Sequence, residues 1–150
     1  MDYSKIKFRG NTNPVGDPNY IAGFLTYHKI ASGEIAPAIT HLFPEGGTLT
    51  ISVVPESIEM SIGIQDMNGN DVFDGDIVEV DVRGTVHEPM SNKGWFRYRI
   101  MICESPDGIG VHWDPVGSTP AYDFIVVHYP PKRYNEGSNV RIVESKTMLV

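Results

Sequence analysis

The chain has 150 residues, one Cys, 15 Gly, 11 Pro and a formal net charge of −7. That length suits a single domain of residues 1–150 able to bury roughly 70% of its unfolded surface, and a hydrophobic content of 41% argues against disorder. One Cys excludes a disulfide framework, no run of about 18 apolar residues offers a transmembrane helix, and Met1 to Lys7 lack the apolar stretch of a secretory signal, so a cytoplasmic, reducing setting is expected.

Helical periodicity is scarce, whereas strand-length runs set off by turn residues recur along the chain. Tyr20 to His28 is the first such run, with Gly23 marking a bulge or a close backbone approach. Ile35 to Leu42 and Pro55 to Met60 are the two places where a short helical piece is expected. Thr48 to Val54 follows Gly46-Gly47 and places Leu49, Ile51 and Val53 on one side. Pro55 ends that run, because proline cannot donate to a central ladder. Asp76 to Val82 alternates most clearly: Val78, Val80 and Val82 face one way, and Ile77, Glu79 and Asp81 the other. Such a pattern is that of a half-buried antiparallel strand. Trp95 to Ile102 alternates again, setting Phe96, Tyr98, Ile100 and Ile102 against Trp95, Arg97, Arg99 and Met101. A turn at Pro106-Asp107-Gly108 leads into Ile109 to Trp113, and Tyr122 to Tyr129 and Val140 to Val143 complete the series. About nine short strands with little helix argue an all-β fold, a small barrel or pseudo-barrel of antiparallel strands. The loop-like composition of His87 to Gly94 makes the stretch near 83–94 either a division between two subdomains or a long hairpin loop.

The segment Ser61 to Val78 contains two turns. Asn68-Gly69 is one, because Gly accepts positive φ and Asn tolerates it, and Asp74-Gly75-Asp76 is the other. This block resembles the YopX-like family of phage and prophage proteins through Gly63, Ile64, Asp66, Asn68, Gly69, Val72, Phe73, Gly75, Asp76, Ile77 and Val78. Three further pieces match in order: Lys7-Phe8-Arg9-Gly10, then Tyr20, Gly23, Phe24 and Leu25, then Val54-Pro55-Glu56-Ser57. The likeness covers residues 5–82 and departs from the family's Asn-rich ending in the C-terminal third. It implies a barrel-like all-β fold and a phage or prophage origin in a bacterial host cell. It implies no activity, because the family has no agreed biochemical function.

No residue pattern stands out as catalytic or cofactor-binding. Asp66, Asn68, Asn70, Asp74 and Asp76 offer oxygen ligands, but an EF-hand register puts Asp71 where Gly is needed and Ile77 where Glu is needed. Turn-forming preference accounts for the same composition. His28, His41, His87, His112 and His128 lack zinc spacing, and Cys103 has no partner Cys. Cys103 ends an apolar strand, where a buried and inert thiol is expected. No nucleophile elbow or phosphate-cradling loop is present, and Asp114 beside His112 and Trp113 is an isolated acid–base combination. No metal, no cofactor and no enzymatic activity are therefore expected.

Charge is unevenly distributed: residues 1–10 carry net +2, residues 11–82 net −10, and residues 83–150 net +1. An acidic middle repels phosphate, whereas complementary ends and middle favour contacts within or between chains. The expectation is a non-enzymatic interaction or regulatory module that binds a protein partner or itself, as a homo-oligomer. The alternative is a nucleic-acid-binding module, in which Trp95 stacks on a base and Arg97 and Arg99 on the same strand face meet phosphate. Lys5, Lys7, Arg9, Lys132, Arg133 and Arg141 would add to that face.

Overall fold

Alternation and turn punctuation translate into ten strands and one 3-10 turn in the computed structural model, which describes residues 6–81, 95–117 and 140–150. All strand pairings are antiparallel, and the fold is all-β. The strands form two sheets, and among the described residues they close no barrel. The predicted strand over Tyr122 to Tyr129 and the His87 to Gly94 stretch lie outside the described residues. The chain divides into two compact units, residues 1–63 with 146–150, and residues 64–145.

In the first unit the strands are β1 (Phe8–Asn11), β2 (Tyr20–Lys29), β3 (Ile35–Leu42), β4 (Thr48–Ser52) and β5 (Glu59–Gln65), the last crossing into the second unit. Their hydrogen-bonded order is β4-β3-β2-β1-β5. The core is a cluster of Ile21, Ile39 and Val53, with Phe8, Leu25, Leu49, Ile51 and Ile58 packed against it. The alternation in β4 therefore points Leu49 and Ile51 inward, and each fully buried Ile contributes on the order of 2 kcal/mol. Gly23 is a close-approach site: a Cβ there would collide with the Thr40 carbonyl. After Lys146, the chain returns to β2, where Leu149 N–H donates to the Tyr20 carbonyl at 2.6 Å.

Of the two helical expectations in this unit, one is corrected and the other is met by a single turn. Ile35 to Leu42 is strand β3, bonded to β2 on one side and β4 on the other. Its β-branched Ile39 and Thr40 suit a pleated sheet. Pro37 is tolerated because its missing N–H would point past Ser52, the last residue of β4. Helical structure in Pro55 to Met60 shrinks to one turn, Pro55–Ser57, and β5 begins at Glu59.

The second unit contains β6 (Asp71–Phe73), β7 (Ile77–Asp81), β8 (Trp95–Ser105), β9 (Gly108–Pro115) and β10 (Val140–Glu144). β10, β7, β8 and β9 form one sheet in that order. Val78, Val80, Phe96, Tyr98, Ile100, Trp113 and Val140 are buried, as the alternation in β7 and β8 requires. Tyr98 and Trp113 meet edge to face with ring centroids 6.2 Å apart. On β8, β7 pairs with Trp95 to Arg99, and beyond it, among the described residues, β8 and β9 continue as a two-stranded hairpin. This arrangement overturns the expectation for Cys103, which is exposed because no described strand covers that end of β8.

Candidate functional site

The Ser61 to Val78 block spans the end of β5, β6 and the start of β7, and the acidic residues of its second-unit part act on backbone. Asp66, only 4% exposed, accepts through Oδ1 the N–H groups of Asn68 and Asn70 at 2.9 and 2.8 Å. Its Oδ2 accepts the Ile142 N–H at 3.3 Å, joining the turn to β10. The Met67 N–H donates to the Val140 carbonyl at 2.8 Å, a second link to the same strand. Between β5 and β6 the Gly69 N–H donates to the Asp66 carbonyl, and the Asp66 N–H to that of Asn70. Gly69 has φ 83°, and among the described residues no non-Gly residue has positive φ. The turn expected at Asn68-Gly69 is thus a three-residue loop with Gly69 in the left-handed region. Gly63 lies within β5, two residues before Gln65 ends the strand.

At the next turn the Asp76 N–H donates to the Phe73 carbonyl at 3.1 Å, with Gly75 at φ 88°. Asp76 is fully buried. Its Oδ2 accepts the Phe73 N–H at 2.9 Å, and its Oδ1 the Ser145 hydroxyl at 2.7 Å. Asp74 Oδ1 accepts the Ile102 N–H at 3.0 Å. Ile77 and Val78, on opposite faces, are both buried at the start of β7. A carboxylate that accepts N–H bonds fixes a turn without a ligand. Among the described residues no three His, Cys, Asp or Glu side chains converge as a metal site would require.

Trp95, Arg97 and Arg99 share one face of β8, as their spacing predicts. Cross-strand register sets Asp81 opposite Trp95, Glu79 opposite Arg97, Asp114 opposite Arg99, and Arg141 opposite Glu79. The face holds acidic and basic groups side by side. Glu79 receives Arg141 at 3.0 Å and Arg97 at 3.8 Å, and the Arg141 guanidinium lies 4.0 Å from the Trp95 ring centroid. Arg99 is exposed and has no ion pair among the described residues. Of the cations expected to extend this face, Arg141 joins it. Lys7 and Arg9 belong to the first unit, and Lys5, Lys132 and Arg133 lie outside the described residues. His112 and Asp114 approach to 3.9 Å on β9, both about half exposed, with Trp113 turned to the core.

Arg9 and Ser145 have roles that sequence reasoning did not find. Arg9 is 1% exposed and its Nε donates to Glu59 Oε1 at 2.9 Å. It also lies 5.9 Å from the Tyr20 ring centroid. A cation placed between Phe8 and the small Gly10 was the available signal. Ser145 gave none, because its use depends on a partner 69 residues away. No helix among the described residues is long and apolar enough to cross a membrane. Comparison of the chain with protein-family models, with curated proteins and with solved structures yields no match.

Proposed function

We propose that this chain is a non-enzymatic interaction module whose partner is a second copy of itself, in the manner of a regulatory protein of the YopX-like phage type. The observation that carries this reading is the surface of β2, β3 and β4. These strands contain Lys29 as their one charged residue, yet expose Phe24 and Leu42 on one face of the sheet and Tyr27 and Ile35 on the other, with Tyr27 and Ile35 about two-thirds open. Exposed apolar side chains paired on adjacent strands are a feature of protein contact surfaces. A surface whose one cation is Lys29 offers little to phosphate. Arg9–Glu59 and Arg141–Glu79 show that charge from the two ends meets the acidic middle within the chain. The association therefore rests on apolar and backbone contacts. Sedimentation velocity over the micromolar range tests it: a mass that rises with concentration supports self-association, and a strict monomer refutes it.

Arg99 favours a second reading, in which the β8 face binds single-stranded nucleic acid. Arg99 is exposed on the strand face that also holds Trp95 and Arg97. Glu79 and the Arg141 stacked on Trp95 weigh against it, since they offset charge and occupy one ring face. The reading predicts salt-sensitive retention on single-stranded DNA that Arg97→Glu with Arg99→Glu abolishes. Absence of retention at low salt rejects it.

A further inference from the structure

Among the described residues β4 stands at the end of its ladder, bonded to β3 alone, and its other edge is open. The phase of its backbone follows from two flanking bonds, Phe43 N–H to the Gly47 carbonyl and Val53 N–H to the Pro37 carbonyl. In an antiparallel pair the bonded residues alternate, so Leu49 and Ile51 bond to β3. Thr48, Thr50 and Ser52 then direct their N–H and C=O groups away from the sheet, and all three residues are exposed.

Protein edges are ordinarily blunted by a charge, a proline or a bulge. Thr48 to Ser52 reads TLTIS, with none of the first two, and its register with β3 runs unbroken from Leu42↔Thr48 to Ala38↔Ser52. The strand is also self-complementary about Thr50. An antiparallel copy centred there sets Thr50 opposite Thr50 of the second copy, Thr48 opposite Ser52, and Leu49 opposite Ile51. Hydroxyl residues meet hydroxyl residues on the open face, and aliphatic residues meet aliphatic residues on the core face. No charge opposes a like charge. The outward groups of Thr48, Thr50 and Ser52 on each copy are those that such a register bonds.

We infer that two copies of this chain join edge to edge through β4, antiparallel about Thr50, extending the first unit's sheet across a two-fold axis. The inference rests on the self-association reading and assigns it a strand and a register. It is an isologous contact, closed at two copies, and main-chain bonding supplies its affinity as in other strand additions.

The test uses the full chain with Cys103→Ser, which removes the exposed native thiol. Bonded antiparallel partners sit about 5.5 Å apart at Cα, within disulfide reach. Thr50→Cys therefore forms a covalent dimer on mild oxidation. Thr48→Cys alone does not, but Thr48→Cys mixed with Ser52→Cys does. Thr50→Pro removes an N–H that the internal ladder does not use and raises the dimer dissociation constant at least about tenfold. Thr50→Lys places like charges across the axis and weakens association in the same direction while leaving β4 its full backbone. Circular dichroism confirms that each variant is folded. Dimeric wild type with unaffected Thr50→Lys and no Thr50→Cys cross-link overturns the β4 assignment and leaves self-association standing. A wild type that stays monomeric overturns both.

Discussion

The two units hold their turns and strands by different means. In the first, the sheet closes over an aliphatic cluster around Ile21 and Ile39, and one buried ion pair, Arg9 with Glu59, links β1 to β5. In the second, buried aliphatic and aromatic side chains are joined by carboxylates that accept backbone N–H groups: Asp66 from Asn68, Asn70 and Ile142, Asp74 from Ile102, and Asp76 from Phe73. An acidic segment thus need not be a binding surface. Much of the net −10 between residues 11 and 82 comes from side chains with internal tasks. The nearly uncharged β2 to β4 region exposes apolar side chains and, among the described residues, leaves one edge of β4 open.

The largest effect is expected in the first unit. Arg9→Ala leaves Glu59, 18% exposed, without its cation, and loss of one partner of a buried pair costs about 3–5 kcal/mol. Urea denaturation reads this directly, and a loss below about 1 kcal/mol would mean the pair is no more than a surface one. In the second unit, Asp76→Ala removes the acceptor of the Phe73 N–H and the Ser145 hydroxyl together. A buried polar group left unpartnered costs roughly 1–3 kcal/mol, so a loss of about 2–3 kcal/mol is expected. Asp76→Asn keeps one acceptor oxygen and loses about half as much. Gly23→Ala comes next. Its new Cβ meets the Thr40 carbonyl, which belongs to rigid sheet backbone rather than a movable side chain. Overpacking of this kind costs about 1–3 kcal/mol, and the melting temperature falls while Tyr27→Ser, on the open end of the same strand, leaves it nearly unchanged.

The fold class was legible because alternation survives in single strands: Phe96, Tyr98 and Ile100 are buried and Arg97 and Arg99 exposed, as read from period two alone. Gly23 was legible as a close approach for a related reason, since a strand position without a side chain marks a place where backbone comes near. β3 was misread because Ala36, Pro37 and Ala38 dilute its alternation, and the neighbours that make it a central strand lie elsewhere in the chain. Cys103 was misread because local apolarity says nothing about whether a third strand arrives to cover a hairpin. The central block was legible as a pair of turns but not as a clamp. Asp66 and Asp76 find Ile142 and Ser145, which no local pattern connects to them. Trp95, Arg97 and Arg99 were rightly placed on one face, but the stacking of Arg141 depends on β10 returning beside β7.

Arg141 gives the smallest effect and the sharpest contrast with Arg9. Both arginines bond a glutamate at about 3 Å, Arg9 through Nε and Arg141 through Nε and Nη2. They differ in surroundings: the Arg9 side chain is 1% exposed and that of Arg141 is 41%. Water and salt screen the second pair, so Arg141→Ala costs about 1 kcal/mol or less, in spite of equal bond lengths. Its signature is optical instead. The guanidinium covers one face of Trp95, and its removal opens the indole to water. With Trp113→Phe leaving Trp95 as the one fluorophore of its type, emission shifts to longer wavelength in Arg141→Ala. High salt weakens the Arg141–Glu79 pair without removing the stacked side chain, so it moves the emission less than the substitution does. An emission maximum unchanged by the substitution would show that the stack does not persist in solution. That outcome would leave a Trp face open beside Arg97 and Arg99, and would strengthen the nucleic-acid reading of β8 at the expense of the ion-paired one.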